Sequence, residues 1–178
     1  MSYFLWDEGV SHKECQSIID EYKDVSFKEG QTGSNDPKVR NNLVHWIETN
    51  SLIARAMFQF ILEANNKYFK YIIDGYEQVQ LSKYEIDGFY DWHKDAVHTN
   101  TELEPVRKLA LSINLSDPES YEGGEFEFFD GHNKSLDPMK NKQGAVVVFD
   151  CLDWHRVKPV IKGSRYSLVM WAIGPRFK

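Results

Sequence analysis

The chain has 178 residues, of which 42% are hydrophobic and 14% aromatic, as is typical of one globular domain with a sizeable core. The net charge of −6 argues against nucleic-acid binding as the main function, because a phosphate-binding surface needs clustered lysine and arginine. No apolar run approaches the roughly 20 residues of a membrane-spanning helix, so no membrane partner is expected.

The cysteines and the first residues bear on the compartment. Cys15 and Cys151 lie far apart in the sequence and form no metal-spaced pair, which favours reduced thiols in a reducing compartment. The opening stretch MSYFLWDEG lacks the basic and apolar regions of a signal peptide. We therefore expect a cytoplasmic protein, and the sequence does not indicate its oligomeric state.

Residues 1–76 are predicted to form a mainly helical supporting segment. A capping box of the form S-x-x-E begins at Ser11 and predicts a helix over about 11–24. Apolar residues at three-to-four spacing predict a second helix over about 52–71. The polar stretch 27–42 between these helices is predicted to be a turn-rich connection.

From about residue 77 the hydrophobic pattern changes to a period of two. EQVQLSKYEI, RKLALSINLS, GAVVVFD and SRYSLVMWAI are rich in β-branched and aromatic residues, which are enriched in strands. Turn clusters such as DPESYEGG and NKQG separate them. Residues 77–174 therefore predict an antiparallel sandwich or barrel, and residues 1–178 predict a single domain that is mainly β with flanking N-terminal helices.

Two of these strands place polar residues on an otherwise protected face. Asn114 lies on the small polar face of RKLALSINLS, opposite a face of leucine and isoleucine. In SRYSLVMWAI, Arg165 and Ser167 share a face with a valine and a tryptophan. Because an unpaired buried charge is costly, this arginine predicts an inward guanidinium that requires an anion. The alternative is a structural salt bridge with a strand glutamate, Glu125 or Glu127.

A set of potential metal ligands precedes this arginine in the sequence. His93 and Asp95 are two residues apart, so they would project to the same side of a strand, and His155 precedes the last strands. Two neutral imidazoles and one carboxylate form the facial triad that holds Fe(II) and leaves three coordination positions open. Arg165 could then bind a carboxylate with two parallel hydrogen bonds. We predict His93, Asp95 and His155 as the metal ligands and catalytic centre.

The sequence resembles the 2-oxoglutarate- and Fe(II)-dependent oxygenases, in their prolyl-4-hydroxylase-like branch, and within it the bacterial PKHD-type hydroxylases. The resemblance lies in Tyr84 and Gly88 ahead of His93-x-Asp95, in LSDPESYEGGEFEF, in GAVVVFD and in WHRVKPVIKGSRYSLVMW. It implies a double-stranded β-helix, which is a jelly-roll core, flanked by the N-terminal helices.

The resemblance also implies cofactors and the residues that bind them. These cofactors are Fe(II), the cosubstrate 2-oxoglutarate and O2, with ascorbate as a candidate reductant. Arg165 would bind the C5 carboxylate of 2-oxoglutarate, and an amide at position 114, where relatives often carry an aromatic residue, could hydrogen-bond to it. For the two aromatic residues of the set, plain core packing is the alternative. The residues implied to bind the cosubstrate are Arg165, Ser167, Tyr84, Asn114 and Trp171.

The activity implied is hydroxylation of a prolyl or other amino-acid side chain in a peptide or protein, with release of succinate and CO2. A free amino acid or another small molecule is the alternative substrate. A cupin-like jelly roll with Zn or Mn is a further alternative and would not need Arg165. A non-catalytic jelly-roll binding module is another, which the retained metal ligands disfavour. The connections 96–106 and 27–42 are predicted to act as lids over the substrate opening.

Overall fold

The computed structural model describes residues 3–31, 38–96, 104–131 and 135–176. The predicted mainly β architecture is confirmed, with helices α1 (His12–Tyr22) and α2 (Leu52–Ala64). Neither helix, nor any other in these ranges, is long and apolar enough to cross a bilayer. In chain order the strands are β1 (Tyr3–Trp6), β2 (Lys28–Glu29), β3 (Arg40–Asn41), β4 (Leu43–Ile47), β5 (Gly75–Tyr76), β6 (Val79–Tyr84), β7 (Phe89–His93), β8 (Val106–Asn114), β9 (Tyr121–Gly123), β10 (Phe126–Phe129), β11 (Ser135–Leu136), β12 (Val146–Asp150), β13 (His155–Val157), β14 (Val160–Gly163) and β15 (Arg165–Gly174).

The strands form two main antiparallel sheets. The larger sheet has the order β1-β12-β8-β15-β6-β4-β2, with β5 paired to β15. The smaller sheet has the order β11-β10-β13-β7-β3, and β14 pairs with β9 in a separate ribbon. An apolar cluster with members from both main sheets lies between them. This is the jelly-roll core that the resemblance implies, and it places the ends of β7, β13 and β15 around one interior space.

The larger sheet has two different faces, as its period-two sequence predicts. Leu111 of β8 and Met170 of β15 are fully buried in a cluster shared with α1 and α2. Their neighbours Ala110 and Trp171 belong to the cluster between the sheets. Burial of one such leucine or methionine stabilises the fold by about 1.5–3 kcal/mol. The helices therefore cover the outer face, and the inner face is left for the site.

Helix α1 begins with the predicted capping box. The Ser11 hydroxyl accepts the Glu14 backbone N–H at 3.3 Å, and the Glu14 carboxylate accepts the Ser11 backbone N–H at 3.0 Å. Cys15 follows on the buried face of the helix. The box satisfies two amide donors that a helix start otherwise leaves unpaired.

The segment 1–76 contains strands as well as the predicted helices. The runs YFLW and LVHWI form β1 and β4, which pair with β12 and β6 respectively. Short apolar runs cannot be assigned from periodicity, and these pair with strands distant in sequence. The helix predicted over 52–71 ends earlier, because a π-helical turn spans Asn65–Phe69 and Lys70 has φ 62°.

Candidate active site

A cavity of about 430 Å³ lies between the two sheets. Its smaller-sheet wall includes His93 and His155, and its larger-sheet wall includes Arg165, Ser167 and Trp171. The structure therefore brings the predicted metal ligands and the predicted carboxylate-binding arginine into one enclosure.

The three predicted metal ligands converge at one end of this cavity. His93 of β7 and His155 of β13 are directly paired partners, and Asp95 follows two residues after β7 ends. One Asp95 oxygen lies 3.7 Å from Nε2 of His93, and the other lies 3.4 Å from Nε2 of His155. One potential ligand atom from each residue lies within 4.8 Å of the others. This cluster of two imidazoles and one carboxylate fits an Fe(II) site.

Backbone carbonyls orient both imidazole rings. Nδ1 of His93 lies 2.7 Å from the Asp91 carbonyl oxygen, and Nδ1 of His155 lies 3.1 Å from the Asp153 carbonyl oxygen. In each ring a proton on Nδ1 can be donated to that carbonyl, which leaves Nε2 free to bind a metal. At both histidines the carbonyl belongs to the residue two positions earlier, so the backbone holds the two rings in the same way.

The cluster holds the protonation states that metal binding requires. Burial lowers the pKa of His93 to about 3, and the neighbouring His155 acts in the same direction. Burial would raise the pKa of Asp95, but the two imidazoles outweigh this effect and the pKa lies below its usual range. At neutral pH the site therefore offers a neutral His93 beside an ionised carboxylate, and neither group must lose a proton to bind a cation.

Arg165 is buried in the cavity wall, where no described carboxylate pairs with it. Its side chain is 1% exposed, and none of its three guanidinium nitrogens has a hydrogen-bond partner among the described residues. The alternative salt bridge is wrong, because Glu127 pairs with Arg156 at 2.7 Å and Glu125 lies 3.5 Å from Lys158. A buried unpaired guanidinium is costly, so this side chain fits a carboxylate-bearing ligand inside the cavity.

Neighbouring residues fix the position of Arg165. Its guanidinium carbon lies 5.6 Å from the ring centre of Tyr84, which is its paired partner on β6. Gly124 packs against its aliphatic part, since a Cβ at this glycine would lie 2.9 Å from Cδ of Arg165. Tyr121 also lies near Arg165: burial raises the pKa of Tyr121, and the Arg165 charge opposes this rise. The Tyr121 hydroxyl donates its hydrogen bond to Asn114, at 3.4 Å.

Four of the five residues predicted to bind the cosubstrate line the cavity, and Asn114 does not. Arg165, Ser167, Tyr84 and Trp171 are in its wall. The Asn114 amide instead donates to the backbone carbonyls of Ser116, Asn141 and Lys142. Its side chain therefore ties the loop before β12 to the sheet rather than reaching the cavity.

Trp171 combines a stacked ring with an unpaired donor. The Arg107 guanidinium carbon lies 3.8 Å from its ring centre. The buried indole Nε1 has no hydrogen-bond partner among the described residues. The indole N–H contributes to lowering the pKa of the Asp95 carboxyl, but the two groups do not meet hydrogen-bond geometry. This N–H is available to a ligand in the cavity.

Several residues of the cavity wall carry no signal in the sequence pattern. Tyr90 stacks on His93 with 3.4 Å between ring centres and a 9° interplanar angle. Tyr90 and His93 are three residues apart and would not share a face in a regular strand. The pairing of β7 with β13 shifts register between these two residues, and this irregularity lets their rings meet. Arg40 and Arg107 also line the wall. No period-two pattern could have identified Tyr90. Of the two predicted lids, residues 97–103 and 32–37 lie outside the described residues.

Comparison with known proteins agrees with this geometry. Residues 79–173 match the family model of the 2OG-Fe(II) oxygenase superfamily. A PKHD-type hydroxylase of Synechococcus sp. (strain JA-2-3B'a(2-13)) is 27% identical over 169 residues, which cover 91% of this chain and 74% of that protein. The two relationships bear out the predicted family and its PKHD-type branch.

Solved structures share the fold. The viral collagen prolyl hydroxylase of Paramecium Bursaria Chlorella virus-1, solved with 2OG, has a TM-score of 0.73 at 24% identity over 98% of this chain and 97% of its own. A Trichoplax adhaerens prolyl hydroxylase has a TM-score of 0.74 at 18% identity, over 96% and 82%. Together with the family match and the converging triad, these findings show that the chain belongs to the 2OG-Fe(II) oxygenase superfamily.

Proposed function

We propose that this protein is an Fe(II)- and 2-oxoglutarate-dependent dioxygenase that hydroxylates a prolyl or other amino-acid side chain in a peptide or protein. One observation carries the proposal: a triad of metal ligands and a buried guanidinium that has no partner among the described residues face the same cavity. A cupin-like site with another metal would not need that guanidinium, and the retained metal ligands argue against a non-catalytic binding module.

The metal ligands have separable tasks in this proposal. His93 and His155 would bind Fe(II) through Nε2, while the carbonyls of Asp91 and Asp153 hold their rings in place. Asp95 would supply the anionic ligand and offset part of the metal charge. Ligation by three side chains leaves positions open toward the cavity. When bound, Fe(II) and 2-oxoglutarate would activate O2, which is the oxidant: one oxygen atom would enter succinate as 2-oxoglutarate loses CO2, and the other would enter the new hydroxyl group of the substrate.

The larger-sheet wall would position the cosubstrate. Arg165 would bind its C5 carboxylate in a forked geometry, with the Ser167 hydroxyl beside it on the same strand face. Tyr84 is buried against Arg165 and would restrict where the guanidinium can point. Phe126 and Phe149, packed around His155, would exclude water from the metal end of the cavity. Asn114 would support this wall indirectly, because it accepts a hydrogen bond from Tyr121 and donates to the loop before β12.

Relatives support a peptide or protein as the substrate. The Synechococcus relative is named a PKHD-type hydroxylase, and the Trichoplax structure contains a peptide fragment of the hypoxia inducible factor oxygen degradation domain. We infer a substrate of the same kind for this chain. Hydroxylation of a free amino acid is the alternative within the same chemistry.

The test is visible absorption of the protein with Fe(II) and 2-oxoglutarate under anaerobic conditions. We expect a metal-to-ligand charge-transfer band that is absent in His155→Ala and needs more 2-oxoglutarate to form in Arg165→Ala. Arg156→Ala is the matched control, because this arginine is paired with Glu127 and outside the cavity wall. A folded, iron-loaded protein that gives no band would refute the proposal.

A further inference from the structure

Arg40 is a second arginine of the cavity wall, and none of the described carboxylates matches its charge. Its Nε donates to Asn42 at 2.7 Å, and its two terminal nitrogens donate to the Gln31 carbonyl at 2.9 Å and to Gln80 at 3.2 Å. All three acceptors are neutral, and none of the described carboxylates lies within salt-bridge distance. A guanidinium has five N–H donors, so each terminal nitrogen keeps one for a ligand.

The position of Arg40 is built into the fold. It lies on β3, the edge strand of the smaller sheet, directly paired with Tyr90 of β7. Its guanidinium carbon lies 4.6 Å from the ring centre of Tyr90, the residue that stacks on His93. Gly30 makes room for it, because a Cβ there would lie 2.6 Å from Nε of Arg40. The charge also reaches the cavity, since it opposes the burial-driven rise in the pKa of Tyr84.

The other buried charges of the cavity wall are matched or have an expected partner. Arg107 makes two hydrogen bonds to Glu77, at 2.7 and 2.6 Å. With Fe(II) and 2-oxoglutarate bound, the positive charges of the metal and Arg165 would equal the negative charges of Asp95 and the cosubstrate. Among the described residues that line the cavity, Arg40 and the exposed Lys94 then remain as positive charges without a carboxylate partner.

We infer that the substrate carries a carboxylate and that Arg40 binds it. The inference rests on the proposed function and narrows its substrate class. The carboxylate belongs either to a free amino acid or to an acidic residue next to the target in a peptide, and Arg40 recognises the group that both share. Arg40 is then a specificity-determining residue beside Tyr90, the ring that stacks on His93.

The experiment measures binding of matched probes to protein loaded with Zn(II) and N-oxalylglycine, a non-reactive analogue that occupies the 2-oxoglutarate site. One pair is L-proline and L-prolinamide; the other is acetyl-Pro-Glu-amide and acetyl-Pro-Gln-amide. Dissociation constants are measured by calorimetry for wild type, Arg40→Gln and Arg40→Lys. Arg55→Gln is the control, because Arg55 is an exposed arginine on α2 outside the cavity wall.

We expect the carboxylate member of one pair to bind about tenfold more tightly than its amide in wild type and in Arg55→Gln. Arg40→Gln should remove this preference, and Arg40→Lys should keep part of it. The pair that shows the preference identifies the source, a free amino acid or an acidic peptide. Equal binding of both members of each pair, no binding of either carboxylate probe at millimolar concentration, or an unchanged preference in Arg40→Gln would overturn the inference.

The anaerobic absorption band separates this outcome from failure of the proposed function. If wild type and Arg40→Gln both form the band and unfold at similar temperatures, loss of the preference in Arg40→Gln reports on Arg40 alone. If they form the band but no carboxylate preference exists, only the inference is wrong. If wild type forms no band, the proposed function fails and the inference fails with it.

Discussion

At the scale of single residues, Arg165 is expected to have opposite effects on the stability of the unliganded protein and on ligand binding. An unpaired buried charge destabilises the protein without ligand, whereas the same charge should bind a carboxylate tightly. We predict that Arg165→Met lowers 2-oxoglutarate affinity by about 100-fold. The free energy of unfolding without ligand should be equal to or higher than that of wild type. Urea unfolding and titration of the charge-transfer band measure the two quantities.

The control for this prediction is Arg156→Met, which removes an arginine that does have a partner, Glu127. It should leave 2-oxoglutarate affinity unchanged. A loss of several kcal/mol in the unliganded Arg165→Met protein would instead indicate that the guanidinium stabilises the fold, and the role assigned to Arg165 would then be wrong.

The sequence predicted the residues whose chemistry is unusual for their surroundings. A histidine and an aspartate at a strand end, and an arginine on an apolar strand face, are conspicuous because burial of such groups is costly. Tyr90 and Arg40 escaped prediction since aromatic and basic residues are common in any strand or loop. Their place depends on the irregular pairing of β7 and on the edge position of β3, which are tertiary features.

At the scale of elements, the turn between β9 and β10 controls the position of Arg165. Gly124 has φ +66°, and a Cβ there would approach Cδ of Arg165. Gly131 has φ +83°, but a Cβ at this glycine would have no described atom within 4 Å. Alanine at either site should cost about 1 kcal/mol of backbone strain. We predict that only Gly124→Ala also weakens 2-oxoglutarate binding, measured by the same titration.

The comparison of these two glycines isolates the steric effect, because the backbone strain is common to both. Equal 2-oxoglutarate affinities for Gly124→Ala and Gly131→Ala, at equal stabilities, would argue that the turn does not position Arg165. A larger stability loss in Gly124→Ala is compatible with the prediction, since the displaced side chain lies in the buried cavity wall.

The capping box of α1 should affect stability and leave the site unchanged. Ser11→Ala removes the hydroxyl that accepts the Glu14 amide, and we predict a loss of about 1 kcal/mol in the free energy of unfolding. Ser17→Ala on the exposed face of the same helix is the control and should have little effect. Thermal and urea unfolding measure the difference. A similar result for both variants would mean that the box contributes no net stability.

Periodicity predicted those elements whose two faces have different environments. Strands β8 and β15 each have one face against the helices and one toward the cavity, so their alternation is clear. Strands β1 and β4 are short apolar runs whose partners, β12 and β6, are distant in sequence. The end of α2 depends on the Asn65 side chain, which bonds to the Tyr71 backbone and competes with the helix.

At the scale of the whole molecule, the candidate site joins two sheets that are otherwise in contact mainly through apolar packing. The metal ligands belong to the end of β7 and to β13, in the smaller sheet. Arg165 and Tyr84 belong to β15 and β6, in the larger sheet. A cosubstrate that binds both the metal and Arg165 would therefore connect the sheets, and its binding energy would add to the stability of their association.

This arrangement predicts a stepwise pattern of hydrogen exchange. Mn(II) alone should slow amide exchange in β7 and β13, because it binds only residues held by the smaller sheet. Adding 2-oxoglutarate should extend the protection to β15 and β6. Arg165→Met should keep the first step and lose the second, while His155→Ala should lose both. Equal protection of both sheets by Mn(II) alone would contradict the prediction, because the metal would then stabilise the entire core without the cosubstrate that we expect to connect the sheets.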